Sequence, residues 1–259
     1  MIDQAKSGRH DVAADAAKLR ALHVPGQPLL LANIWDPVTA GVVESSGMPA
    51  IATASAALAP VNGYEDHGHL PPDVAFGALR RITDAVKLPV TADLEDGYGL
   101  SPEEFVERIA NAGACGLNLE DTDHRTGALV EADQHAKRIA AIKAAGRARG
   151  FDLVVNARVD VHIYNGPLED GLRRARKYLA AGADCVYPLL LSDPAALREY
   201  VALGPVNMAT YPGGMSSKEL AKAGVARISV GPFLHRLLLK RLEVAIDALR
   251  RFDDESLWA

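Results

Sequence analysis

The sequence predicts a single (β/α)8 barrel, because short apolar strands alternate with longer helices along the whole chain. Its 259 residues are close to the usual length of such a barrel. A repeated pattern supports this fold: a helix ends in a small residue and a glycine, and an apolar strand follows after a short bridge. The pattern occurs at Ser46-Gly47, Ala112-Gly113, Ala181-Gly182 and Ala223-Gly224. We therefore expect one domain over 1–259, built on a parallel sheet.

Eight strands follow a charged N-terminal segment in which we expect a helix. The strands are expected at about 29–33, 50–53, 89–93, 115–119, 153–158, 184–187, 205–209 and 226–230. The helices are expected at about 37–46, 72–86, 102–112, 132–148, 168–181, 194–203, 216–223 and 232–252. Start signals such as Ser101-Pro-Glu-Glu support several helices. An open, doubly wound sheet is the alternative, but Leu31-Ala-Asn-Ile-Trp35 lacks the glycine fingerprint of that fold.

Composition argues against several classes of function. The formal net charge is −5 and no basic run is present, so the chain lacks the electrostatic signature of a nucleic-acid binder. The first 24 residues carry charges throughout, and no segment approaches the ~18 apolar residues of a membrane span. Cys115 and Cys185 lie in strand patterns without a CxxC spacing, which predicts buried reduced thiols. We therefore expect a cytoplasmic protein that binds neither nucleic acid nor membranes.

Acidic residues stand where two neighbouring strands end. Asp93 and Glu95 follow the third strand on the same side, because side chains alternate along an extended chain, and Glu120 follows the fourth. Clustered, desolvated carboxylates repel one another unless a cation neutralises them. Oxygen ligands suit Mg²⁺, or Mn²⁺, better than zinc. The alternative is that such acids cap the following helices, which fits Asp96 or Asp121 taken singly.

Arg158 is the only cation that the strand ends place in this site. It follows the apolar strand Leu153-Val-Val-Asn-Ala, and its guanidinium suits bidentate binding of a carboxylate or phosphonate. The alternative is an internal salt bridge to Glu120 or Asp160, which can coexist with substrate binding. No lysine lies at a strand end, which argues against a Schiff-base aldolase. Other polar or small residues at strand ends are Asn33, Trp35, Asp36, Ala54, Ser55, Ala56 and Asn156.

Two further groups of residues have weaker signals. Small residues at 54–56 would let backbone N–H groups approach a developing enolate oxygen, although small residues also serve close packing. His67, His69 and His124 lie in loops without the close spacing of metal ligands. We expect these histidines on the surface, where each could still move protons near neutral pH.

Five motifs, taken in order, resemble the isocitrate lyase/phosphoenolpyruvate mutase superfamily. They are Asn33-Ile-Trp-Asp-Pro, Ala50-Ile-Ala-Thr-Ala-Ser55, Ala92-Asp-Leu-Glu-Asp-Gly-Tyr-Gly99, Leu119-Glu-Asp121 and Asn156-Ala-Arg-Val-Asp160. The resemblance covers about residues 25–250. It implies a (β/α)8 barrel, Mg²⁺ held by carboxylates partly through water, and a 2-oxo acid or its enolate as the ligand. It also implies a homotetramer in which the last helix is exchanged between neighbouring subunits.

The resemblance implies roles for individual residues. Asp93, Glu95 and Glu120 resemble the metal-site carboxylates, and Asp66 resembles a loop aspartate near the metal. Arg158 resembles the arginine that binds the substrate carboxylate. Catalytic roles are therefore expected for Asp66, Glu120 and Arg158. Substrate contacts are expected from Trp35, Ala54, Ser55, Ala56, Asp93, Asn156 and Arg158, with Ala54 to Ala56 as the cradle for the enolate oxygen.

The segment after the fourth strand departs from the superfamily. The cleaving lyases carry a Lys-Lys/Arg-Cys-Gly-His loop here, whose cysteine is the catalytic acid, whereas this chain has Glu120-Asp-Thr-Asp-His-Arg-Thr-Gly-Ala-Leu-Val130. The Lys, Asn and Thr positions of the mutases and phosphonate hydrolases are also missing. What remains is a metal and an oxyanion cradle, which suffice to decarboxylate a 3-oxo diacid such as oxaloacetate. We therefore predict a Mg²⁺-dependent lyase or decarboxylase. A carboxyphosphonoenolpyruvate-type mutase and a non-catalytic barrel that binds a 2-oxo acid are the alternatives.

Overall fold

The computed structural model of the chain describes residues 10–258 and has the predicted alternation of strands and helices. The eight parallel strands are β1 in two pieces (Leu29–Leu30 and Asn33–Ile34), β2 (Ile51–Thr53), β3 (Val90–Asp93), β4 (Gly116–Leu119), β5 (Val154–Val159), β6 (Cys185–Pro188), β7 (Asn207–Ala209) and β8 (Arg227–Ser229). Each lies within two residues of the predicted position. The sheet is therefore built from the apolar segments that the sequence marks.

The pairing of neighbouring strands continues from β1 to β8 and returns to β1. Six strands pair in chain order from β1 to β6, and β7 and β8 form a second group with the first piece of β1. The two groups meet at β1, whose Leu29–Leu30 pairs with β8 and whose Asn33–Ile34 pairs with β2. They meet again at a parallel bridge between Val186 and Val206. This is the arrangement of a (β/α)8 barrel, and the predicted fold class is confirmed.

Helices connect successive strands and cover the outside of the barrel. They are α1 (Val12–Ala21), α2 (Pro37–Ser45), α3 (Ser55–Val61), α4 (Pro72–Thr83), α5 (Pro102–Asn111), α6 (Ala132–Ala148), α7 (Leu168–Ala180), α8 (Pro194–Val201), α9 (Ser217–Lys222), α10 (Phe233–Arg250) and α11 (Asp254–Trp258). The predicted N-terminal helix is present as α1. The sequence interpretation missed α3, α11 and a short hairpin between Thr122–Asp123 and Ala128–Leu129.

Glycines end the helices as the repeated pattern predicts. Gly47, Gly113, Gly182 and Gly224 have φ values of 80°, 78°, 100° and 92°. Only glycine adopts this left-handed region without a steric penalty, so each residue closes its helix and turns the chain into the next strand. The pattern therefore places the strand starts at the same end of the barrel. The strand ends, with their polar residues, consequently gather at the opposite end.

Helix α1 packs against the end of the barrel where the strands begin. Leu19 is fully buried and lies so close to Gly116 of β4 that a Cβ on that glycine would be 2.7 Å from Leu19 Cδ2. Arg20 on the same helix donates to Asp184 (2.6 Å) and to the carbonyl of Asp152 (2.6 Å). This end is thus closed by packing and ion pairs, which leaves the other end for the chemistry.

Two predictions about the interior and the membrane also have clear outcomes. Cys115 and Cys185 are both free and buried, as predicted. Within residues 10–258, no helix is long and apolar enough to cross a membrane.

Candidate active site

Asp93, the last residue of β3, lies at the centre of the candidate site. Its Oδ2 accepts hydrogen bonds from the backbone N–H (3.1 Å) and hydroxyl (3.2 Å) of Ser55, and its own N–H donates to Thr53 Oγ1 (2.9 Å). Its Oδ1 is buried and has no hydrogen-bond partner among the described residues. Burial raises the pKa of Asp93, while the nearby charge of Arg158 opposes that rise. One oxygen of this carboxylate is therefore fixed and the other is left free for a ligand.

Glu95 and Asp66 add two further carboxylates with a free oxygen. Glu95 lies just beyond β3 in a left-handed conformation (φ 53°), and its Oε2 accepts the backbone N–H of Gly68. Glu95 Oε1 and Asp66 Oδ1 are buried and have no hydrogen-bond partner in the described part of the chain. Burial, and then the charge of Asp66, raise the pKa of Glu95 to about 8. The loop that carries Asp66 and Gly68 thus brings its acid to the strand-end carboxylates, as the resemblance implied.

Glu120 and Arg158 form a buried ion pair. Arg158 donates to Glu120 Oε1 through Nη1, and to both oxygens of Asp160 through Nε (2.6 Å) and Nη2 (2.9 Å). The salt bridges to Glu120 and Asp160 that the sequence left open are therefore both present. A guanidinium has five N–H donors, so Nη1 and Nη2 each keep one N–H beyond these contacts. Arg158 is thus held in place and still has donors for a substrate carboxylate.

His124 is part of the site, and the expectation that it lies on the surface is wrong. Its side chain is 8% exposed, and Nε2 lies 2.8 Å from Glu120 Oε2 and 3.8 Å from Glu95 Oε2. Burial alone would lower the pKa of His124, but the hydrogen bond and charge of Glu120 outweigh it and raise that pKa to about 9. The hairpin after β4 positions this ring. His67 and His69 are exposed, as expected.

Asp121 supports the site through hydrogen bonds to the residues around it, and its interpretation as a helix cap is wrong. Its Oδ1 accepts the N–H of Asp160 (2.8 Å), and its Oδ2 accepts from Arg174 (3.0 Å) and the Tyr178 hydroxyl (2.6 Å). Helix α6 is preceded instead by Glu131. Asp121 therefore ties β4 to β5 and α7, and so fixes the segment that carries Asp160 and Arg158.

The remaining predicted residues have different environments. Ser55 begins α3, and its backbone N–H is already used by Asp93, so this part of the proposed cradle supports the carboxylate directly. Asn156 donates to Asn118 Oδ1 (2.8 Å) inside the barrel and keeps a free buried Oδ1. Trp35 is buried with its ring against His235 (centroids 4.8 Å apart). Their predicted contacts with substrate remain predictions.

Sequence interpretation missed two cationic residues. His124 was expected on the surface, because its contacts with Glu95 and Glu120 depend on how the hairpin folds back. Arg227 on β8 is buried in the barrel, where it donates to Asn118 Oδ1 (3.2 Å), and its Nε and Nη1 have no described partner. It could have been found, because it lies two residues before Ser229 and so points to the same side of the strand. Arg158 is thus not the sole cation at the barrel axis.

The free carboxylate oxygens are the candidate ligands of the predicted Mg²⁺ site. Within residues 10–258, no three His, Cys, Asp or Glu side chains form a ready-made set of metal ligands. Three carboxylates nevertheless each present a buried oxygen without a partner: Asp66, Asp93 and Glu95. Mg²⁺ commonly keeps several waters and takes only one or two carboxylates directly, so this donor set fits a hydrated ion. The ligand assignment of Asp93, Glu95 and Glu120 remains a prediction.

This arrangement can bind a small anion beside a divalent cation. Asp66, Asp93 and Glu95 each offer a buried oxygen without a described partner, and Arg158, which binds Glu120 and Asp160, keeps two N–H groups beyond those contacts. Groups that are already positioned stabilise charge that develops in a reaction without reorganising. The geometry therefore suits a carboxylic acid that passes through an enolate.

Comparison with known proteins agrees with this geometry. The sequence model of the phosphoenolpyruvate phosphomutase family matches residues 19–250. An uncharacterised protein of Mycobacterium tuberculosis is 33% identical over 81% of this chain and 80% of its own length. Oxaloacetate decarboxylase 2 of Pseudomonas fluorescens is 28% identical over 85% of this chain and 78% of its own length.

A solved structure extends the similarity to the fold. A protein of Burkholderia cenocepacia, described as a candidate phosphonomutase, is 41% identical with a TM-score of 0.84, over 90% of this chain and 99% of that one. The family match, the identities and the barrel geometry all lead to the same assignment. Its named relatives include lyases and mutases. The chain therefore belongs to the isocitrate lyase/phosphoenolpyruvate mutase superfamily and is an enzyme of that superfamily.

Proposed function

We propose that this enzyme is a Mg²⁺-dependent lyase or decarboxylase of a small 2-oxo carboxylic acid such as oxaloacetate, acting through an enolate. The observation that carries the proposal is the set of three buried carboxylate oxygens without partners, on Asp66, Asp93 and Glu95, next to the Glu120–Arg158 pair. Bound Mg²⁺, with Mn²⁺ as a substitute, would polarise the 2-oxo group and stabilise negative charge on its oxygen.

The chain's own residues bind and orient the substrate. The free N–H groups of Arg158 bind one carboxylate, while Glu120 and Asp160 prevent the guanidinium from moving. Ser55 holds Asp93 in a single orientation. The mostly buried His124 supplies an acid close to the reacting centre, held by Glu120.

Phosphorus–carbon chemistry is the second candidate, because the Burkholderia cenocepacia structure is 41% identical and is described as a candidate phosphonomutase. The segment after β4 argues against it, since the mutase-type positions are missing there. His124 and Arg125 occupy that hairpin instead. A substrate comparison decides between the two candidates.

The test measures loss of oxaloacetate and release of pyruvate with Mg²⁺, with EDTA, and with Mg²⁺ restored. Because Mg²⁺ alone promotes decarboxylation, the Asp93→Ala protein at equal concentration is the matched control. We expect turnover above this control that EDTA abolishes. Turnover of phosphonopyruvate but not oxaloacetate would favour the second candidate. Binding of 2-oxo acids without turnover of either would favour a non-catalytic barrel.

We also propose a homotetrameric assembly and a cytoplasmic location. The exposed apolar side chains of α10 support the assembly. The two free, buried cysteines support a reducing compartment.

A further inference from the structure

A cavity of about 990 Å³ adjoins the candidate active site on the side of α6. Its walls are the loop at 67–72, the loop at 96–102, the hairpin after β4 and the first turns of α6. Glu120 and His124 lie on its wall, so it opens next to the carboxylate cluster. Pockets for drug-sized ligands measure about 300–1,000 Å³, so this cavity exceeds what a small 2-oxo acid needs.

Unpaired positive charge faces this cavity. Arg125, Lys137 and Arg138 all line it. Arg125 pairs with Asp123 (3.2 Å), but no ion pair of Lys137 or Arg138 is found among residues 10–258. Arg138 Nε is buried without a partner in the described part of the chain, where its Nη2 donates to the Gly97 carbonyl at 3.5 Å. A buried guanidinium donor without an acceptor is costly, which indicates that a ligand or water supplies one.

The acids on the cavity wall already accept other hydrogen bonds, and none of them forms an ion pair with Lys137 or Arg138 within residues 10–258. Glu120 is bound by Arg158 and His124. Asp96 accepts the backbone N–H groups of Tyr98 (2.8 Å) and His124 (3.3 Å). Asp123 accepts from the backbone and the side chain of Arg125. The charge of Asp96 stabilises the charged form of Arg138, but no acid supplies an acceptor to Arg138 Nε within residues 10–258.

His135 gives a second, independent indication of a polar ligand. It lines the cavity, is 2% exposed, and its Nε2 has no described partner. Its ring packs on Tyr178, with centroids 4.8 Å apart, which fixes its orientation. Burial, and then the charge of Arg138, lower the pKa of His135 to about 3, so the ring is neutral near pH 7. A neutral imidazole still donates one hydrogen bond to an anion.

We propose that this cavity binds an anionic group, a carboxylate or a phosphate, through Arg138, Lys137 and His135. A guanidinium fork binds such groups in bidentate fashion, and the adjacent ammonium adds charge. The anion has two possible sources. It is the remote end of a substrate whose 2-oxo acid lies at Asp93, or it is a separate small anion. The first source rests on the proposed function, and the second is independent of it.

The experiment compares three probes in the Mg²⁺-loaded protein by calorimetry and thermal shift. 2-Oxoglutarate has a remote carboxylate, 2-oxobutyrate lacks one, and inorganic phosphate tests the cavity alone. The variants are Arg138→Met and Lys137→Met. Arg147→Met is the matched control, because Arg147 is an exposed residue near the far end of the same helix. Arg138→Lys tests whether charge without the fork suffices.

If the anion belongs to the substrate, the wild type should bind 2-oxoglutarate about ten-fold or more tightly than 2-oxobutyrate. Arg138→Met should remove this preference and leave 2-oxobutyrate binding unchanged. Arg138→Lys should retain part of the preference for 2-oxoglutarate, and Arg147→Met should retain all of it. If Arg138→Met does not fold, Lys137→Met should show the same loss in smaller measure. A preference that survives in the folded variants would overturn the assignment.

Phosphate separates failure of this inference from failure of the proposed function. If neither 2-oxo acid binds, the proposed function fails. A site for a separate anion would still be supported if phosphate stabilises the wild type and Arg138→Met abolishes this stabilisation. If phosphate does not stabilise the wild type and 2-oxoglutarate shows no preference, the cavity is not an anion site.

Discussion

Asp93 combines two properties that rarely occur together in a structural residue. Its Oδ2 is held by two hydrogen bonds from Ser55, while its Oδ1 is buried with no described partner. Burial raises its pKa, so the protein without metal gains nothing from its charge. A residue that is costly for the fold and incompletely bonded is better explained by ligand binding than by stability.

The first prediction concerns Asp93→Asn, which keeps the shape and removes the charge. We expect Mg²⁺ affinity to fall more than about ten-fold and turnover to be lost, with the melting temperature of the metal-free protein unchanged or raised. Calorimetric Mg²⁺ titration measures this, with Asp123→Asn as a control in a partly exposed acid of the neighbouring hairpin. An unaltered Mg²⁺ titration would remove Asp93 from the metal site.

The second prediction concerns Arg158, which already binds Glu120 and Asp160. Arg158→Ala removes the cation that binds Glu120, Asp160 and the substrate carboxylate, and should cost about 2–5 kcal/mol in transition-state binding, measured from kcat/KM. Arg158→Lys keeps the charge but replaces a planar fork of five donors by a point charge with three, so it should also lose most of kcat/KM. Wild-type kcat/KM for oxaloacetate in Arg158→Lys would show that the substrate carboxylate binds elsewhere.

The third prediction uses Glu95, whose pKa is raised from 4.5 to about 8. Its contribution to stability is complete below pH 4.5 and is lost as the pH rises through about 8, because the fold favours the protonated form. The melting temperature in EDTA should therefore fall as the pH rises from about 5 to about 8 and level off above that. Stabilisation by Mg²⁺ should grow over the same range, since the ion binds the carboxylate form.

Glu95→Gln is the control for this pH dependence. His124, with a pKa raised to about 9 in part by the charge of Glu95, contributes to stability with the same sign, so the difference between wild type and Glu95→Gln measures Glu95 together with its effect on His124. His23 and His135, with pKa values lowered to about 4 and about 3, lose stability only on the acid side and do not interfere above pH 7. An identical Mg²⁺ response in both proteins at every pH would contradict the prediction.

Among the secondary-structure elements, α1 separates stability from function. Leu19 is fully buried at the end of the barrel opposite the carboxylates. Leu19→Ala should lower the free energy of unfolding by about 2–5 kcal/mol, because the rigid strands around it cannot close the resulting cavity. Urea denaturation measures this, and Val24→Ala, at a residue 42% exposed, is the control. Turnover by the folded Leu19→Ala protein should stay near wild type.

The elements that the sequence predicted are those with a local cause. All eight strands were predicted, because apolar segments and helix-ending glycines are local signals. Helix α3 was missed because it is seven residues long, contains Pro60 and has no side-chain cap. The hairpin after β4 was missed because each of its strands has two residues.

The candidate site divides in the same way. Asp93, Glu120 and Arg158 were predicted, because each stands at or next to a strand end. The role of His124 was not, because it depends on a hairpin whose fold no local pattern indicated. Arg138 was not predicted either, because it lies on helix α6 and the prediction considered residues at strand ends.

At the scale of the whole molecule, α10 is a long helix that the single chain leaves almost uncovered. Only His235 and Ala248 of this helix are buried. Leu237, Leu242 and Leu249 are 60%, 52% and 59% exposed. A contiguous exposed apolar surface of this kind marks an interface.

The last prediction is that α10 packs between subunits. The chain has a mass of 27.5 kDa, so a tetramer, at four times that mass, should scatter as a particle of about 110 kDa at micromolar concentration. The double variant Leu238→Glu, Leu242→Glu places two charges one turn apart on the exposed apolar surface and should reduce that mass. Lys240→Gln, at an exposed position between them, is the control and should leave the mass unchanged. Static light scattering decides the matter: a wild-type mass near 27.5 kDa would mean that α10 remains exposed and that the proposed tetramer is wrong.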